Sequence, residues 1–492
     1  MHANTTSNGP RSGRTLEGVT VYHWLVVIIA SCGWLFDCMD QRLFILSRQP
    51  ALTELAAKDY VQKRHCATCG LPIRDKEKSE KCSECRQKNL TAAPNSAPAT
   101  PAPDKLKSVI DKDAKRYGGW ATTCMIIGWA TGGIFFGMMS DKWGRVKTMV
   151  ATLLVYSGFT GLSGLAQSWE QFMVFRFLVG LGVGGMFGAA TTLVAESVPT
   201  NFRSVALGSL QALSATGNIT GSLISLAIPP SAENFMGNYA GWRVLFFVGI
   251  LPALLAIPMI FILKEPEAWK QAKAAAKEGG AAKKVGSPMD MLRHPRWRRH
   301  ALVGLLLGVS GMIGLWGIGF FSPELISEAL KGDYPAKTVD TVKGWGTALQ
   351  DAGAFVGMMV FTVLASRWGR KPAFLLSFLL CLVTVAFVFN FLRKPTDAYW
   401  MLPLLGFATL SVFAGYSIYF PELFPTRLRG TGVGFCYNTV RYLAAPAPAL
   451  FGYLTTLMPF RTVATIMCSV FLIGVIALIW APETKDKELP ED

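Results

Sequence analysis

The stretch GMMSDKWGRVK, residues 137–147, decides the fold, because its centre is written twice. DKWGR at 141–145 returns as SRWGR at 366–370, an offset of 225. GGW at 118–120 returns as KGW at 343–345 at the same offset, and ESVPTNFRS at 196–204 returns as ELFPTRLRG at 422–430, offset 226. Three matched motifs at one spacing describe a chain built from two parallel repeats.

Composition says what the repeats are made of. Of 492 residues 51% are hydrophobic and 16% charged, against roughly 25% charged in a soluble domain. Gly is abundant, at 48 residues, which suits helices packed closely in lipid. About 20 mostly apolar residues cross a bilayer as a helix. On that measure twelve spans are expected, near 22–46, 118–140, 147–167, 170–194, 205–228, 242–263, 301–322, 345–365, 372–392, 398–420, 431–456 and 460–481. The first 20 residues are polar, so the first span is expected to stay as a membrane helix rather than act as a cleaved signal.

The formal net charge of +16 does not point to nucleic acid, because the basic residues sit between apolar blocks. Lys142, Arg145, Lys147, Arg367, Arg370, Lys371, Arg427 and Arg429 fall in short loops on one face, and segment 264–300 adds ten basic residues there. Positive loops lie in the cytoplasm, so both tails, 1–21 and 482–492, are expected to be cytoplasmic in a plasma or inner membrane. Segment 47–117 is basic and on the opposite face, but long loops escape that rule.

Within 47–117, HCATCGLPIRDKEKSEKCSEC (65–85) carries two Cys-x-x-Cys pairs, Cys66/Cys69 and Cys82/Cys85. This spacing predicts a structural four-cysteine, zinc-ribbon-like module at about 62–90, with two disulfides as the rival. A Pro/Ala-rich stretch follows as a flexible tether.

Charges inside spans are costly and usually functional. FDCMD places Asp37 and Asp40 in the first span, three residues apart and therefore on one face. Arg176 lies in the fourth span, Gln350 and Asp351 in the eighth, and Asn438 and Arg441 in the eleventh. Drawn from both halves, these groups are expected to meet around a central cavity. Trp34, Trp316, Tyr416 and Tyr437 are candidate aromatic lining. Substrate sites of repeat-built transporters lie at the repeat interface, and rocking of the halves alternates access. No nucleophile–base arrangement is visible, so an enzyme is not expected.

On these motifs the chain resembles the major facilitator superfamily everywhere except 47–117. GMMSDKWGRVK resembles its signature loop after the second helix, and RFLVGLGVGG (176–185) its fourth-helix Arg-plus-Gly motif. GWR (241–243), KEPEAW (264–269) and PETKDKELPE (482–491) resemble the sugar-porter and organic-acid-symporter branch. The Asp-x-x-Asp resembles that of aromatic-acid:proton symporters, with Cys38 where Gly usually follows the first Asp, and YNTVR resembles the sialate symporters.

The resemblance implies an all-α membrane protein, twelve helices in two six-helix repeats, and secondary transport by a monomer that exchanges a small-molecule substrate and protons. It implies a cytoplasmic gate built from Asp141, Gly144, Arg145, Glu196 and Arg203, matched by Arg370, Glu422 and Arg429. Ser366 replaces the acid in the second copy, so that side is expected to be weaker. Arg441 is assigned as a carboxylate clamp and Asp37 as the proton carrier, with Asp40 second. The expected function is proton-coupled symport of a small organic anion. The alternatives are a neutral sugar porter, or a transporter-like sensor whose external module reads a ligand.

Overall fold

The computed structural model describes residues 16–62, 103–235, 237, 239–278, 286–317, 321–330, 333–444, 446, 450, 454 and 457–491. The Cys66, Cys69, Cys82 and Cys85 module lies outside the described residues. Among the described residues there are helices and no strand.

The first half holds α1 (Val21–Gln62), α2 (Pro103–Trp143), α3 (Arg145–Ser163), α4 (Trp169–Ser197), α5 (Thr200–Ala212), α6 (Ser214–Ala227), α7 (Gly241–Val248) and α8 (Ala256–Ile262). A connecting region carries α9 (Glu267–Glu278) and α10 (Pro288–Arg293). The second half holds α11 (Pro295–Gly317), α12 (Ser322–Leu330), α13 (Ala336–Arg367), α14 (Arg370–Phe391), α15 (Pro395–Glu422), α16 (Arg429–Ala444), α17 (Phe460–Met467) and α18 (Val470–Ala477). Eight helical stretches among the described residues are long and apolar enough to cross a membrane.

The helices that carry the first two expected spans run on past them. At 42 residues, α1 is about 63 Å long, twice a hydrocarbon core of about 30 Å. Residues 47–62 and 103–117, at the two ends of the segment 47–117, continue these helices. Apolar side chains recur beyond the span: Leu52, Leu55 and Ala56 of α1 bury against Ala114, Tyr117, Trp242 and Phe246. Tyr117 also stacks on Trp169, centroids 4.1 Å apart. Pro103 opens α2, a position where its missing N–H costs nothing.

The internal repeat is visible in how backbones meet. In the first half a Cβ on Gly128, Gly132 or Gly180 would stand 2.0–2.2 Å from a carbonyl oxygen of the partner helix in the α2–α4 pair. In the second half Gly353, Gly357 and Gly406 do the same in α13–α15. Between helices in lipid, such close approach replaces the hydrophobic drive that water would supply. The most extensive contacts between the halves are α2 with α16 and α5 with α13, again related by the repeat.

Candidate functional site

Gly144 and Gly369, the glycines of the doubled motif, have φ of 123° and 107°. This region excludes ordinary side chains. Each opens the helix that follows, and each leaves room for a carboxylate. Glu265, from KEPEAW, accepts N–H bonds from Arg145, Val146 and Lys147 at 2.7, 3.0 and 3.3 Å. Glu483, from PETK, accepts from Arg370 and Lys371 at 3.0 Å. A Cβ on Gly144 would lie 2.3 Å from Glu265, and one on Gly369 would lie 2.8 Å from Glu483. Two acidic residues thus cap two equivalent helix N-termini, where unpaired N–H groups favour an anion. Burial pushes the Glu483 carboxyl up, but backbone donors including those of Arg370, Lys371, Lys485 and Thr484 outweigh it and hold it below the usual range. The motifs carry no sign of this capping role beyond their acidic residue.

The gate residues assemble at this end of the bundle. Arg145 is fully buried, 3.1 Å from Asp141 and 3.0 Å from Glu196, and it donates to the Thr426 carbonyl of the other half at 2.8 Å. Glu196 also accepts from Arg429. Asp141 crosses between the halves: it accepts the N–H groups of Gly430 and Thr431 at 3.0 and 2.8 Å and the Thr431 hydroxyl at 2.7 Å, so it caps α16. In the second copy Arg370 and Glu422 pair at 2.7 Å, and Thr484 donates to Glu422 at 2.6 Å. Among the described residues Ser366 bonds within its own helix, to the Val363 carbonyl. Arg203 donates to the Ala195 carbonyl and to Thr200. The charge network is therefore asymmetric, with the Asp141 copy reaching across and the Ser366 copy not.

Beyond this charge network a cavity of about 400 Å³ lies between the halves. Arg441, Asp351 and Gln350 line it, with Arg42, Trp34 and Trp129. Arg441 packs its guanidinium over Trp129, 3.9 Å from the ring centroid, and donates to Asn438 at 2.6 Å and to the Tyr437 carbonyl at 2.9 Å. No carboxylate among the described residues forms an ion pair with it. Asp351 pairs instead with Arg42 from the first half, at 2.6 Å. Gln350 accepts from Ser322 at 2.8 Å.

The remaining charged candidates sit behind the wall. Asp40 accepts from Thr160 at 2.6 Å and faces Arg176 at 3.9 Å. Arg176 donates to Ser163 and lies over Phe246, Phe44 and Phe172. Both are buried inside the first half and do not line the cavity, so they do not meet the second-half charges there. The reason is helical phase: positions 34, 38, 41, 42 and 45 line the cavity, and the Asp37–Asp40 face turns toward α3 and α4. Asp37 is fully buried, and neither of its oxygens has a hydrogen-bond partner. Of the aromatic candidates Trp34 and Tyr437 line the cavity, and Tyr416 instead donates to the Leu307 carbonyl. The Trp316 side chain lies outside the described ones.

A larger recess, about 750 Å³, opens between the far end of α1 and residues 230–243. Three of its four charged lining residues are paired with one another, Glu54 with Arg243 at 2.9 Å and with Lys58 at 3.1 Å. The smaller cavity is therefore the stronger candidate.

Comparison with known proteins bears on the fold and the family. The chain is 31% identical over 359 residues to the cis,cis-muconate transport protein of Acinetobacter baylyi, covering 73% of this chain and 83% of that one. It is 30% identical over 330 residues to the sialic acid transporter NanX of Escherichia coli, covering 66% and 74%. The proton:xylose symporter XylE has the same fold, with a TM-score of 0.67 at 18% identity over 95% of this chain and 98% of that one. The Major Facilitator Superfamily pattern matches residues 114–446 and 312–492. These matches span both repeats, and the chain belongs to the Major Facilitator Superfamily, a family of membrane transporters.

Proposed function

We propose that the protein is a proton-coupled symporter of a small organic anion, working by alternating access across twelve spans with both termini cytoplasmic. One observation carries the reading. Arg441 is a buried cation in the wall of the cavity between the halves, and among the described residues its hydrogen-bond partners are neutral and its Nε has none. A buried charge without an ion-pair partner is strongly unfavourable, and a carboxylate substrate would supply one through the two-pronged geometry of guanidinium. The aromatic wall suits a planar or ring-bearing acid. Relatives named as carriers of muconate, gentisate and sialic acid support the same class. At about 400 Å³ the cavity is at the small end of the 300–1,000 Å³ range of ligand sites.

Asp37 is the proton carrier in this reading, because a buried carboxylate without partners is stable only when protonated or compensated. The Asp141–Arg145–Glu196–Arg429 cluster holds the cytoplasmic end shut while the other end exchanges substrate. On the sequence alone, Cys66, Cys69, Cys82 and Cys85 hold one structural zinc on the opposite face.

The test is a titration of purified protein with carboxylates and with neutral sugars, for the native chain and for Arg441→Lys. Lys keeps the charge but loses the fork. Carboxylates should bind, sugars should not, and the variant should lose roughly tenfold or more in affinity. Equal carboxylate affinity in the variant would remove Arg441 from the site.

A further inference from the structure

The same cavity holds a second guanidinium. Arg42 of α1 and Asp351 of α13 form an ion pair between the halves at 2.6 Å. Both line the cavity with Arg441. The side chains remain 25% and 22% exposed, so the pair is open to the cavity rather than sealed in the protein.

The wall is rich in donors that have nothing to bond. Trp34 Nε1, Gln41 Nε2, Arg42 Nε, Trp129 Nε1 and Arg441 Nε are buried without partners, and all five residues line this one cavity. Gln211 Oε1 is the unpartnered acceptor among them. Buried polar groups are nearly always satisfied. A cluster of five orphaned donors around one cavity therefore calls for a ligand made of acceptors. One monocarboxylate satisfies the Arg441 end and leaves the Arg42 end as it is.

Resting on the anion-symport reading above, we infer that the site is built for a dicarboxylate, whose second carboxylate takes Arg42 away from Asp351 while the first binds Arg441. The exchange is isoelectric at Arg42, one carboxylate replacing another, so no buried charge is left uncompensated at that guanidinium. Asp351 is released on the solvent-reachable side of the pair. Because Arg42 and Asp351 belong to different halves, the same exchange cuts a tie between them.

Isothermal titration of the full chain with length-matched pairs, fumarate against crotonate and adipate against hexanoate, reads this directly. At least one dicarboxylate should bind roughly tenfold or more tighter than its monocarboxylate twin. Arg42→Gln should bring that ratio close to one. Asp351→Asn should move the other way and tighten the dicarboxylate, since Arg42 then has no partner to give up. A merely structural bridge predicts that both variants weaken binding together, and that outcome overturns the inference, as does a native ratio near one for both pairs. If Arg42→Gln fails to fold, Asp351→Asn alone still decides by its direction. Arg441→Lys in the same series separates the two readings: unchanged binding of all four acids sinks anion recognition itself, whereas a loss for all four without a dicarboxylate preference sinks only the second clamp.

Discussion

Asp141 in the first half and Thr431 in the second are joined twice, through the Thr431 N–H at 2.8 Å and its hydroxyl at 2.7 Å. The carboxylate is fully buried and also accepts from Gly430. An acid from one repeat thereby caps a helix of the other, and any opening of this end must break the cap.

Asp141→Asn should loosen that end without unfolding either half. The variant keeps an acceptor but loses the charge that strengthens the bonds to the N-terminus of α16. A loss on the order of 1–2 kcal/mol would shift the closed-to-open ratio roughly 5- to 30-fold. Pulsed electron paramagnetic resonance between labels on the two halves at this end should show a longer-distance population. An unchanged distribution would mean that the cap does not hold the gate.

Ser366→Asp is the converse. The repeat places Ser366 where the first copy has Asp141, and among the described residues the native serine bonds to Val363. An acid there would face the N-terminal turn of α5 as Asp141 faces that of α16. The closed population should grow and transport should slow. Faster transport in the same assay would show that the symmetry stops at the backbone.

Gly434→Val should block closure by shape alone. A Cβ on Gly434 would lie 2.4 Å from the Gly133 carbonyl oxygen across the contact between α2 and α16. Backbone atoms cannot move aside as a flexible side chain can. Each half should still fold, and cross-linking between cysteines placed on the two helices near this contact should fall. Cross-linking at the native rate would show that the halves do not meet here.

Glu483 gives a pH signature at the edge of the gate. Its folded carboxyl is held below the usual range by backbone donors that outweigh the upward push of burial, so its charged form stabilises the fold. That contribution is complete above the unfolded value of about 4.3 and disappears as pH falls through the lower folded value. Thermal midpoints of the native chain and Glu483→Gln should differ at neutral pH and converge only in strong acid. A gap that is constant with pH would remove charge as the cause.

Much of this architecture is legible in the sequence because the repeat doubles each signal. Asp141, Arg145, Glu196, Arg370, Glu422 and Arg429 stand in motifs at offsets of 225 and 226, and they do converge. The cavity wall is less legible. Spacing of three puts Asp37 and Asp40 on one helical face but does not say which neighbour that face meets. The structure turns it into the first half and gives the cavity to Trp34, Cys38 and Arg42 instead. Trp129 escapes a sequence reading because α2 carries no charge from 117 to 140, leaving no periodic pattern to single out one residue. Arg42 escapes it because its partner, Asp351, lies 309 positions away.

Zinc content tests the module outside the described residues. Among the described residues no group of three or more His, Cys, Asp or Glu side chains could hold a metal. From the spacing of the two Cys-x-x-Cys pairs, metal analysis of the purified chain should find about one zinc per chain, lowered in Cys82→Ser with membrane insertion intact. Absence of zinc, with thiols that react only after reduction, would assign two disulfides.

The last test concerns coupling. Asp37 is buried with both carboxylate oxygens unpartnered, and a bare carboxylate in such a place costs several kcal/mol. When an anionic substrate occupies Arg441, the compensation that Arg441 offers Asp37 is withdrawn, so a proton should bind. Substrate and proton then load together, and the cavity can close with little net charge. An inward proton gradient imposed on proteoliposomes should therefore drive accumulation of a carboxylate substrate. Asp37→Asn copies the protonated form: it should still exchange substrate across the membrane but should not concentrate it. Because Asn is nearly isosteric with Asp, loss of exchange as well would indicate a folding defect, which the thermal midpoint checks. If Asp37→Asn still concentrates substrate under a pH gradient, the proton travels on another carboxylate, with Asp40 and Asp351 the next to replace.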